Sequence, residues 1–151
     1  MLGFELLNEE MSDGRPFTVQ STYTLSGFKN AVLRKHMENW RAKAFTDEEF
    51  DQFDITKVVG TPALLTLSET KEGSYVNITG ISLPPKGTPL KPLVNDKQVL
   101  VLDTGEFNQA VFDSLSDRLK EKIAQSPEYK AVKSGRPVEK YDEALDDEIP
   151  F

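Results

Sequence analysis

The chain has 151 residues, 38% of them apolar and 28% charged, with no cysteine and a formal net charge of −7. This length allows one domain with a real core. The missing cysteines exclude disulfides, thiolate metal sites and cysteine nucleophiles. No run approaches the roughly 18 apolar residues of a membrane span, and the start lacks the basic-then-apolar order of a signal peptide; the absence of cysteine fits a cytoplasmic protein. The charge is unevenly placed. From Glu139 to Phe151 six acids (Glu139, Asp142, Glu143, Asp146, Asp147, Glu148) face one base, Lys140, which leaves 19 acids and 17 bases in the preceding 138 residues. A nearly neutral body can still gather its lysines on one face.

Leu2 to Leu7 alternates Leu2, Phe4 and Leu6 with Gly3 and Glu5, and reads as a strand. Asn8 to Gly14 is a turn-rich connector. Phe17 to Tyr23 alternates again, with Phe17, Val19 and Tyr23 on one face. The two runs make a hairpin whose polar face carries Glu5, Thr18, Gln20 and Thr22. A helix follows, capped by Thr24 or Ser26, with Phe28, Val32, Met37 and Trp40 on its buried stripe and Arg34, Lys35, Glu38 and Arg41 opposite. Thr46-Asp47-Glu48-Glu49 is a capping box that starts a second short helix ending near Phe53.

Pro62 to Leu67 and Tyr75 to Ile81 read as strands joined through a turn at Gly73. Leu83 to Pro92, with Pro84, Pro85, Pro89 and Pro92, is extended. Gln98 to Asp103 reads as a short strand. Short helices then bury Val111, Phe112, Leu115, Leu119 and Ile123, and Ser126-Pro127 starts one more. The expected organisation is a domain over residues 1–133 and a flexible acidic tail over 134–151.

The chain closes on Asp146-Asp147-Glu148-Ile149-Pro150-Phe151: acids, then an apolar residue, a stiffening proline and an aromatic. That order suits a partner that pairs a basic rim with an apolar slot. It resembles the acidic tip of bacterial single-stranded-DNA-binding proteins, which recruit replication and repair enzymes. In the body, Tyr23-Thr24-Leu25-Ser26, Leu33-Arg34-Lys35, Trp40-Arg41, Phe45-Thr46-Asp47-Glu48-Glu49, Phe53-Asp54, Gly60, Tyr75-Val76-Asn77-Ile78, Leu83-Pro84 and Ser126-Pro127-Glu128-Tyr129 resemble a group of bacteriophage replication-module proteins. That group looks like phage single-stranded-DNA-binding proteins with an OB-fold.

The resemblance implies a mainly β fold with some α: an OB-fold-like Greek-key barrel of five strands with a helix between strands three and four. Here two strands precede the helix and two follow, so the first strand is the missing one. Either the chain is a shortened version of the pattern or Gln98 to Asp103 closes the barrel.

Binding of single strands needs positive charge for phosphates and flat side chains for bases, at ~1–3 kcal/mol per stacked base. The candidate single-stranded-DNA residues are Thr18, Gln20, Lys57, Lys71, Tyr75, Asn77 and Lys86, with Lys91 a further phosphate contact. Alternation sends Val76 and Ile78 inward and Tyr75, Asn77 and Thr79 outward. Competing readings are plain. Tyr75 also suits the covering of a barrel end, a single lysine is commonly just a solvated charge, Trp40 belongs to the core by its register, and Arg34, Lys35, Arg41 and Lys43 suit a solvated helix face.

Enzyme readings have little to work with. His36 is the single histidine, no phosphate-binding glycine loop is present, and Asp47, Glu48, Glu49, Asp51 and Asp54, which could suggest a two-metal nuclease, have capping roles or a surface position. The expectation is therefore no catalysis, no cofactor and no metal. The chain would coat single-stranded DNA in phage replication or recombination and recruit enzymes through Asp146, Asp147, Glu148, Ile149, Pro150 and Phe151, with no membrane partner and homo-oligomerisation open. The alternative is an adaptor or decoy that imitates the host tip and binds little DNA itself.

Overall fold

Alternating apolar residues at the start of the chain pair as expected in the computed structural model, which describes residues 1–136. Strands β1 (Leu2–Glu10) and β2 (Pro16–Ser21) form an antiparallel hairpin in which Phe4 faces Val19 and Glu5 faces Thr18. Its turn closes with Gly14 at φ 84°, a backbone angle that costs glycine little, and with the Asp13 carboxylate accepting the Arg15 N–H at 3.1 Å. Leu2, Phe4, Val19 and Tyr23 turn to the core.

Helix α1 (Val32–Arg41) begins well after Thr24 and Ser26. The Ser26 hydroxyl caps a turn instead, accepting the Phe28 N–H at 3.4 Å, and the Ala31 N–H closes that turn onto the Phe28 carbonyl. Gly27 and Asn30 favour such a turn over a helix. Phe28 therefore leaves the buried stripe and stands 76% exposed, with Val32 exposed beside it in sequence. The face that α1 buries is Leu33, His36, Met37 and Trp40, together with Arg34. The helix ends at Ala42, which takes the left-handed φ of 54°.

Helix α2 (Asp47–Asp51) starts at the expected capping box. The Thr46 hydroxyl accepts the Glu49 N–H and the Glu49 carboxylate accepts the Thr46 N–H, both at 3.1 Å. A 3-10 turn (Ile55–Val58) leads to a second antiparallel hairpin, β3 (Leu64–Glu69) and β4 (Val76–Ser82). Helix α1 packs against β4, and β2 lies alongside β4. Between them sit Leu33, Met37, Trp40, Phe45, Ile78 and Ile81, backed by Phe50, Phe53, Ile55, Val58 and Leu65. Trp40 is core, 6% exposed; its ring lies 5.8 Å from Phe4 and its indole N–H donates to the Pro62 carbonyl at 2.9 Å. A buried indole commonly needs such an acceptor.

The content is mixed α and β. The described residues form two separate two-stranded antiparallel sheets and no closed barrel. They divide into two units, Met1–Lys97 and residues 98–136. In the second, Gln98 to Asp103 is not a strand. A short apolar run without a neighbouring strand has no ladder to satisfy its backbone, and it ends in a turn where the Asp103 carboxylate accepts the Gly105 N–H. Helices α3 (Gln109–Ser114), α4 (Asp117–Ala124) and α5 (Pro127–Ser134) follow. Buried Phe112 stacks on Tyr129 at 4.9 Å, and Phe107 meets both rings. Ser126 caps α5 and Pro127 is its first residue. Among the described residues no helix is long and apolar enough to cross a membrane. Asp146, Asp147, Glu148, Ile149, Pro150 and Phe151 lie outside the described residues.

Candidate nucleic-acid interface

The β3–β4 hairpin turns at Thr70 to Tyr75, where the Thr70 N–H donates to the Tyr75 carbonyl at 2.9 Å and Gly73 takes φ 66°. Gly80 stands opposite Thr66, and the register then slips, so that Leu67 faces Ile78 and Thr79 is the extra residue. An added Cβ at Gly80 would come to 3.2 Å from the Thr66 hydroxyl oxygen, a tight contact that would require the Thr66 side chain to give way. Ile78 points into the core as alternation expects, and the extra residue at the slip, Thr79, brings Ile81 to the same side, three positions on. Val76, expected inward, is exposed. It shares the face of Ile78, but the core covers that face only as far as Ile78.

This distal half of the hairpin gathers three of the expected residues. Tyr75 is 63% exposed, Asn77 is exposed on β4, and Lys71 is exposed in the turn with no ion pair among the described residues. Thr18 and Gln20 are exposed on β2, the strand alongside β4. Lys57 is exposed on the 3-10 turn, beside the Asp54 carboxylate that caps it. Lys86 is exposed in the turn after β4, where Gly87 takes φ 80°. Lys91 pairs with Glu10 at 3.3 Å.

The outward face of the β1–β2 hairpin is less open than its sequence suggests. The Glu5 carboxylate accepts the Val94 N–H (2.8 Å), the Asn95 N–H (2.9 Å) and the Asn95 side-chain amide (2.7 Å). Partial burial raises its pKa, and these three bonds outweigh that and hold it below the usual glutamate value. Residues 94 and 95 thus cover part of the face that carries Thr18.

Arg34 departs most from its expected place. It is 2% exposed, not solvated. Its guanidinium donates to the carbonyls of Gly27 (3.0 Å) and Phe45 (2.8 Å) and to the carboxylates of Asp47 (2.8 Å) and Glu38 (3.3 Å), and it lies over the Phe50 ring. These bonds tie the turn before α1, the loop after it and α2 together. The Arg34 bond lowers the Asp47 pKa, and the Phe45 N–H lowers that of Glu38. Arg41 and Lys43 both approach Glu49 at 3.9 Å, and Arg41 also stacks over Phe45. The basic patch at the end of α1 is therefore largely consumed within the fold; Lys35 stays exposed.

The acids that could suggest a metal site are dispersed in the same way: Asp47 on Arg34, Glu49 on the Thr46 cap and Asp54 on Thr56. A shallow cleft of about 560 Å³ opens between the end of α1 and the β3–β4 hairpin, lined by Glu38, Asn39, Lys43, Thr66 and Ser82 without an aromatic. A groove of about 420 Å³ runs past Tyr23, Phe28 and Val32. The exposed Phe28 is the flat surface that helical spacing concealed; Gly27 before it and Asn30 after it were the available signal. Compared with known protein families, with characterised proteins and with solved structures, the chain matches none of them.

Proposed function

We propose that this chain binds single-stranded DNA as a phage-type OB-fold-like protein, and that Asp146, Asp147, Glu148, Ile149, Pro150 and Phe151 recruit replication or recombination enzymes. What carries the reading is the β3–β4 hairpin: an exposed Tyr75 ring, Asn77 exposed two residues on, and Lys71 exposed in the same turn with no ion pair among the described residues. An aromatic platform next to a cation is what sequence-tolerant stacking on single strands requires. The element order supports it, as does the closeness of β2 to β4, which in a five-stranded OB barrel would be the third and fifth strands. Thr18, Gln20, Lys57 and Lys86, all exposed, are the further contacts in this reading.

Fluorescence titration with oligo-dT of several lengths tests this reading. Affinity should fall steeply as salt rises, because phosphate contacts release counterions. Salt-independent binding, or equal binding of duplex, would defeat it. Phe151→Ala should spare oligo-dT affinity and lose the recruited enzymes.

An adaptor or decoy with little DNA binding of its own is the second reading. The observation favouring it is the open arrangement: no closed barrel among the described residues, and a β1–β2 face partly covered at Glu5. Absence of oligo-dT binding together with intact enzyme capture would select it.

A further inference from the structure

The proline-rich segment after β4 has no part in the DNA reading apart from Lys86, yet it is held in a defined place. Proline fixes φ near −65°, and a residue before proline is confined to the extended region. Thr88-Pro89 and Lys91-Pro92 therefore bias residues 88–92 toward a polyproline II helix, which repeats every three residues. Pro89 and Pro92 then share one face, Leu90 and Leu93 a second, and Lys91 and Val94 the third.

The contacts are consistent with that assignment. The Lys91 ammonium reaches Glu10 and the backbone N–H groups of Val94 and Asn95 reach Glu5, so the segment runs back along β1 and is held to it at these points. The side chains are left open: Leu90 is 54%, Leu93 44% and Val94 72% exposed, and residues 89–97 are exposed throughout. Lys86, without an ion pair among the described residues, stands at the near end.

We propose that Thr88–Leu93 is a docking peptide for a partner domain whose groove is lined by parallel aromatic side chains, with an acidic margin toward Lys86. Such grooves take a Pro-x-x-Pro face in the polyproline II form, and a segment already held extended loses little entropy on docking. Two glutamates on β1 supply that pre-organisation here.

The test is a titration of the 15N-labelled full chain with an SH3-type domain as aromatic-groove probe, and with the same domain carrying alanine in its groove. Shifts should be confined to residues 86–95 and saturate with a Kd below about 1 mM. They should vanish with the groove variant and in Pro89→Ala/Pro92→Ala protein that keeps its spectral dispersion and its oligo-dT affinity. Leu90→Glu, on an exposed side chain, should weaken the probe alike if the double proline variant is unstable. Absence of shifts with SH3-type and WW-type probes up to millimolar concentration would overturn the proposal. So would shifts that survive in the proline variant, shifts centred on Tyr75, or concentration-dependent shifts without any probe, which would assign the segment to a second copy of the chain.

Discussion

The two hairpins have the same plan and opposite surroundings. Both are antiparallel pairs with a glycine turn and a register irregularity, and both give one face to the core around α1. On β1–β2 the outward face is engaged by the chain itself, through Glu5 and Glu10. On β3–β4 the distal half runs past the core and leaves Tyr75, Val76 and Lys71 in solvent. An exposed face satisfied from within the chain has a structural role, whereas one that holds an aromatic and an unpaired cation in water is available to a ligand. The β3–β4 hairpin is accordingly where the binding energy should lie.

The comparison can be broken most completely at the point both hairpins depend on. Arg34→Ala removes four hydrogen bonds from a buried site and leaves the Phe45 carbonyl without its donor. It should lower the melting temperature by roughly 10 °C in a calorimetric scan, whereas exposed Lys35→Ala should leave it nearly unchanged. The next largest effect sharpens the contrast. Tyr75→Ala with Lys71→Ala should weaken oligo-dT binding about 10- to 100-fold with stability within about 0.5 kcal/mol, while Thr18→Ala with Gln20→Ala should change affinity less than about 3-fold at the lower end of such contact energies. Equal losses from the two pairs would erase the distinction drawn here.

A smaller effect concerns the tether. Glu5→Ala should leave binding by the β3–β4 hairpin intact and speed amide exchange at Val94 and Asn95, since both N–H groups lose their acceptor. The smallest is a pH dependence. The pKa values of Glu5, Glu38, Asp47, Glu49 and Asp54 are all held below their ordinary values in the folded chain. The unfolded chain therefore binds protons first as pH falls. Stability should be flat above about pH 5 and decline from about pH 4 downward, as these groups pass from their unfolded toward their folded pKa values. A melting temperature that rose on acidification would contradict those bonds.

Short-range signals were legible from the residues. Thr46 and Glu49 form the capping box, Ser126 and Pro127 start α5, Gly73 makes the turn, and Trp40 sits in the core. What failed depended on partners outside the element being read. Arg34 reads as a surface charge because periodicity counts a charge as polar, and it cannot see the two carbonyls and two carboxylates that surround it. Gln98 to Asp103 has strand composition but no neighbour to pair with. Val76 obeys alternation and is exposed, because alternation gives a face and not whether the core reaches it. Of the candidate site, the exposure of Tyr75, Lys71 and Asn77 on the β3–β4 hairpin follows from spacing, and the covering of the β1–β2 face by residues 94 and 95 could not be read from spacing at all.

The bonds of Arg34 span 4, 7, 11 and 13 residues, while those of Glu5 to Val94 and Asn95 span 89 and 90. Closing a loop costs more entropy the longer it is, and short loops close first. The segment from Gly27 to Phe53 can therefore assemble around its guanidinium as an early nucleus, before the two hairpins meet on α1. The strap across β1, which closes the longest loop of these bonds, should close late in folding and open early under stress. In kinetic terms, Arg34→Ala should slow refolding, and loss of the Glu5 clamp should appear almost wholly in the unfolding rate.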